Sequence, residues 1–177
     1  FYRRHEKIYL VECDGERPHE AEFVAKWLKP EVSLWVSLGR SHAVYYENEV
    51  KSGRFINIDE AIAHEFATIP VNTKKLVLID GANESMREHC EGIKAEVIAV
   101  DTGKLKKYEA YPNRATFEIG NRKYEFHDPM PRDVTVQLLM LDKLMDYLGQ
   151  KVTTDLKDYH MPPGRSNYLE GKRGIKI

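Results

Sequence analysis

Leu76-Val77-Leu78-Ile79-Asp80-Gly81-Ala82-Asn83 decides the fold: four consecutive apolar residues run straight into an acid and a glycine. An unbroken apolar run of this length, with no polar alternation, suits a strand buried on both faces, as in a parallel sheet covered by helices. Three more such runs lie outward from it: Val32-Ser33-Leu34-Trp35-Val36 and Ile8-Tyr9-Leu10-Val11 upstream, and Val97-Ile98-Ala99-Val100 downstream. Residues 19–28, 59–68 and 83–91 separate the runs and carry helical spacing, with Asp59 expected as the N-cap of the second. Strand and helix alternate, so the expected class is α/β, a mostly parallel sheet with flanking helices.

Beyond Asp101 the pattern changes. Residues 106–110, 115–119 and 123–127 are short strand-like runs, the last two joined by Gly120-Asn121, which predicts a small antiparallel hairpin region. Residues 133–148 then read as one helix, with Val136, Leu139, Met140, Leu144, Tyr147 and Leu148 along an apolar face that Lys143 interrupts. Pro162-Pro163-Gly164 breaks the chain after it.

A length of 177 residues with 42% hydrophobic content fits a single domain spanning residues 1–177. The 27 basic and 28 acidic residues nearly cancel, so no global field points to nucleic acid or a lipid surface as partner. No apolar run approaches the roughly 20 residues of a membrane span, and the start lacks a secretory pattern, so a cytoplasmic protein is expected. Cys13 and Cys90 make no disulfide framework and are expected as reduced thiols. The chain opens on Phe1 only a few residues before a strand-like run, and Gly174-Ile175-Lys176-Ile177 begins another. Both ends raise the expectation of further N- and C-terminal portions, with residues 166–177 starting the connection to a following domain.

Ligands of open parallel sheets gather at the carboxyl ends of the strands. Glu12-Cys13-Asp14, Gly39-Arg40-Ser41-His42 and Asp80-Gly81 occupy those positions. A carboxylate and an imidazole on neighbouring loops suit Mg²⁺ or Mn²⁺, or can orient a phosphate. The competing readings are a helix cap for the acid and a solvated loop histidine. No G-x-x-x-x-G-K-[ST] phosphate loop, zinc-finger spacing or G-x-S-x-G elbow occurs, which removes an intact phosphate loop, a zinc module and a hydrolase of that type.

The order of blocks resembles the central domain of the Mur ligases across nearly the whole chain. Tyr9-Leu10-Val11-Glu12-Cys13-Asp14-Gly15-Glu16 before Pro18-His19-Glu20-Ala21-Glu22 is similar to that family's strand ending in a metal-binding glutamate, and Ser37-Leu38-Gly39-Arg40-Ser41-His42 to its metal-associated histidine segment. Residues 115–120 with Met130-Pro131, and Met161-Pro162-Pro163-Gly164-Arg165, resemble its hairpin and its closing segment, whose arginine lies by the nucleotide. The hairpin and ending look most like the ligase that adds D-alanyl-D-alanine to the muramoyl tripeptide. Glu12-Cys13 with Thr68-Ile69-Pro70 is similar to poly-γ-glutamate synthetase.

The resemblance implies an ATP-dependent carboxylate–amine ligase, forming an amide through an acyl phosphate in cell-wall peptide assembly. Small-molecule acid and amine substrates, ATP and Mg²⁺ come with it. It makes Glu12 and His42 the metal-side catalytic residues and Arg165 a nucleotide ligand. It also puts the phosphate loop before residue 1. The metal-associated lysine expected near Ile62 is missing, with His64 and Glu65 close by, and Arg132-Asp133-Val134-Thr135-Val136-Gln137-Leu138 replaces the adenine-recognising asparagines, leaving Gln137 as the substitute. The alternatives are a degenerate Mur-like binding or scaffold module without catalytic activity and a poly-γ-glutamate synthetase-type ligase.

Overall fold

A computed structural model describes residues 8–40, 43–156, 158–160 and 162, the side chain of Asp133 excepted. The parallel sheet comprises β1 (Val32–Trp35), β2 (Leu76–Asp80) and β3 (Glu96–Val100) in that order, with Val32 opposite Leu76 and Leu76 opposite Glu96. β2 is central, and Leu76, Val77, Leu78 and Ile79 are each at most 1% exposed. Leu76 and Leu78 enter one apolar cluster, and Val77 and Ile79 a second with Trp35, Ala67, Met86 and Cys90. Two cores, one per sheet face, are the reason this strand has no polar positions.

Helices α3 (Ile58–Val71) and α4 (Glu84–His89) lie with the second core, α1 (Glu20–Leu28) packs on α3, and a 3₁₀ turn (Ala43–Tyr46) leads into the short α2 (Glu47–Lys51). The 3₁₀ turn and α2 were not expected from the sequence. α3 starts one residue before the expected Asp59, because Asn57 is its cap: the Asn57 side chain accepts from the Glu60 amide at 2.9 Å, and the Glu60 carboxylate accepts from the Ile56 amide at 2.7 Å. Asp59 instead sits in the first turn and pairs with Arg40 at 2.9 Å. Asn83 caps α4 in the same way, accepting from the Met86 amide at 3.1 Å.

The other core carries the expected antiparallel region. β4 (Leu105–Tyr111), β5 (Arg114–Ile119) and β6 (Arg122–Phe126) form a three-stranded meander, and α5 (Arg132–Tyr147) packs with it against β2. Phe117 stacks on Tyr124 and Phe126 with ring centroids 5.2 and 5.7 Å apart. Gly120, with φ 58°, supplies the positive φ of the two-residue turn between β5 and β6. Of the expected α5 face, Leu139 and Met140 are fully buried, whereas Tyr147 is exposed. An acid, Asp142, takes a buried place instead, accepting from Arg122 at 2.8 Å and from the Tyr124 hydroxyl at 3.0 Å.

One expected element is absent. Residues 8–16 adopt no regular secondary structure, and Ile8, Tyr9 and Leu10 are 62–87% exposed. A strand is held by its ladder, and among the described residues nothing pairs with 8–13 or with the outer edge of β1. β-branched composition alone therefore does not make a strand there.

Candidate functional site

The carboxyl ends of β2 and β3 are locked by their own side chains. The Asp80 carboxylate accepts from the Ala82 amide at 2.9 Å, and Asp101 accepts from the Gly103 amide at 2.8 Å. Gly81 donates its amide to the Val100 carbonyl at 3.0 Å, and a Cβ on it would lie 2.7 Å from that oxygen, so only glycine allows the β2 exit to press on the end of β3. Arg87 adds a bond to the Gly81 carbonyl. The result is a tight shelf with acids on its rim.

A second anchored segment carries Glu12. It is pinned three residues later, where the Tyr46 hydroxyl donates to the Gly15 carbonyl at 2.9 Å and Gly15 abuts Ala21 and Phe66. Burial, reinforced by Glu65, Glu20 and Asp14, pushes the Tyr46 hydroxyl well above its ordinary range. Burial first, then Asp14, Glu65 and Glu20, raises the Cys13 thiol as well, so it is not activated as a nucleophile; Cys90 is raised by burial alone, and both cysteines are free.

Glu65 performs a task that the sequence did not disclose. It is 6% exposed, and one carboxylate oxygen accepts from the amides of Ala21 at 2.9 Å and Glu22 at 3.3 Å, capping α1 from α3. The residue at the α1 N-cap, His19, makes no side-chain cap bond. Glu65 is thereby committed to the fold and is no stand-in for the missing lysine. Its neighbour His64 is exposed and lies against the Phe55 ring at 5.2 Å.

Of the four expected site residues, the structure describes two. Glu12 is exposed on irregular chain rather than at a strand end, which corrects its expected setting. Gln137 is exposed on α5. The two belong to elements on opposite faces of the parallel sheet, since the Glu12 segment is anchored on α1 and α3 and Gln137 rides on the meander side. His42 and Arg165 lie outside the described residues. Among the described residues no three His, Cys, Asp or Glu side chains converge as a metal cage, and no helix is long and apolar enough to cross a membrane.

By sequence, no protein-family model and no curated protein matches the chain. By structure, it is similar to a MurF ligase from Thermotoga maritima in complex with ADP, with a TM-score of 0.71, 18% identity and coverage of 89% of this chain. The chain spans 37% of that protein's length. A parallel three-stranded sheet, an antiparallel three-stranded sheet and flanking helices thus give this chain the fold of a Mur-ligase-like domain.

Proposed function

We propose that the chain is one part of an ATP-dependent carboxylate–amine ligase, with cell-wall peptide assembly in the cytoplasm as its setting and the D-alanyl-D-alanine-adding enzyme as its nearest type. The observation that carries this reading is the likeness over 89% of the chain to a MurF ligase crystallised with ADP. The rest of the enzyme, including a phosphate loop and a closing domain, would lie on other segments, in keeping with the 37% of the neighbour's length that is spanned.

Glu12 offers an accessible carboxylate on a segment pinned at Gly15. Mg²⁺ in phosphate sites is commonly held by one or two carboxylates plus phosphate oxygens, so Glu12, with His42, fits such an ion better than a cage made by protein alone. The ion, when bound, would offset repulsion between the substrate carboxylate and the γ-phosphate. Arg165 would pair with phosphate oxygens, and the Gln137 amide, with both a donor and an acceptor, would meet the adenine edge. The carboxylate substrate, phosphorylated by ATP, is then attacked by the amine, and phosphate leaves as the amide forms.

The test is phosphate release from MgATP by the complete gene product. Release should require both a carboxylate and an amine, and Glu12→Gln and His42→Ala should each lower turnover by about a hundredfold. Unchanged turnover in both variants would refute these assignments. Nucleotide binding without any turnover would favour the scaffold reading.

A further inference from the structure

A cleft of about 360 Å³ opens on the other side of the shelf, between β3, the β5–β6 turn and α5. Its floor is apolar, formed by Ile98, Ile119 and Leu139. Three cations reach it: Lys104 from the 3₁₀ turn after β3, Arg122 from the start of β6 and Lys143 from α5. Two acids also line it, and both are already engaged. Asp101 accepts from the Gly103 amide, and buried Asp142 takes one nitrogen of Arg122 and the Tyr124 hydroxyl. Asp146, outside the lining, forms ion pairs at 3.6 Å with both Arg122 and Lys143, looser than the 2.8 Å pair of Arg122 with Asp142. Lys104 makes no ion pair among the described residues.

We propose that this cleft binds a small aliphatic carboxylate. With Asp146 counted beside Asp101 and Asp142, three carboxylates balance the three cations, and Lys104 is the lining cation left without an ion pair among the described residues; one unpaired cation suits a monoanion rather than a phosphate dianion. The floor suits a short hydrocarbon body, and the volume lies at the lower end of ligand-sized pockets. Arg122 is held in place by Asp142, so its remaining N–H groups are oriented in advance for a carboxylate. Lys143, which interrupts the apolar face of α5, is one of the residues lining the cleft. This inference does not rest on the ligase reading.

The experiment titrates the ¹⁵N-labelled chain with sodium hexanoate, with hexylammonium and 1-hexanol as controls at constant ionic strength. Hexanoate should give saturable shifts of the Gly103, Lys104, Gly120 and Asn121 amides, and the controls should not. The double variant Lys104→Ala, Lys143→Ala should bind about tenfold or more weakly, because two charge-assisted contacts are lost. Lys104→Ala alone serves if the double variant does not fold. The inference is overturned if no saturable shift is seen into the millimolar range, if shifts cluster elsewhere, or if the variants bind as tightly as the parent chain. Competition by MgADP for the same signals would also overturn it, because the cleft would then belong to a nucleotide site.

Discussion

At the scale of single residues, the buried polar groups show how much chemistry the fold spends on itself. Tyr124 is 1% exposed, and burial, with the hydrogen bond to Asp142 next, pushes its hydroxyl from an ordinary 10.0 up to about 12. The folded state therefore favours the neutral phenol. Its contribution to stability is complete below pH about 10 and is lost as pH rises from about 10 toward 12, where the unfolded chain ionises first. Tyr46 is raised in the same direction, so two groups share the alkaline loss. Urea midpoints measured from pH 9 to 12 should fall steeply for the parent chain and less steeply for Tyr124→Phe. Parallel curves would show that Tyr124 ionises freely in the folded protein.

Between elements, the joint of α1 and α3 depends on one carboxylate. Glu65→Ala would leave the Ala21 and Glu22 amides without their acceptor at a buried helix end, at a cost of about 1–3 kcal/mol. Glu65→Gln retains a carbonyl oxygen for the same amides and should lose clearly less. Thermal unfolding of the two variants checks the order; equal losses would mean that charge, rather than the hydrogen bonds, stabilises the joint. The placement of the caps was only partly legible. A helix over residues 83–91 was evident from spacing, though not its Asn83 cap, and the expected Asp59 cap gave way to Asn57, because the bonds from the Glu60 amide to the Asn57 side chain and from the Ile56 amide to the Glu60 carboxylate close the first turn two residues earlier. A cap that arrives from 44 residues away, as Glu65 does, leaves no local signal.

At the scale of the molecule, a sheet of three parallel strands carries its acids at strand ends, and among the described residues it assembles no metal cage. With 37% of its structural neighbour's length, the chain of residues 1–177 should hydrolyse no ATP and bind MgATP weakly if at all. Isothermal calorimetry checks this, and tight MgATP binding by the isolated chain would contradict it. The reason is electrostatic: triphosphate affinity comes from many converging N–H groups and cations, and the strand ends described here turn their amides onto their own aspartates.

The sequence by itself determined the α/β class, the parallel β1 to β3 sheet, the antiparallel meander and the long α5, because each follows from local periodicity and from turn residues such as Gly120. Only the tertiary structure decided that residues 8–13 form no strand, since a ladder partner and not composition makes one. It alone committed Glu65 to α1 and buried Asp142 beneath Arg122 and Tyr124. Those pairings join residues 18 to 44 positions apart, a separation over which no sequence period reports contact.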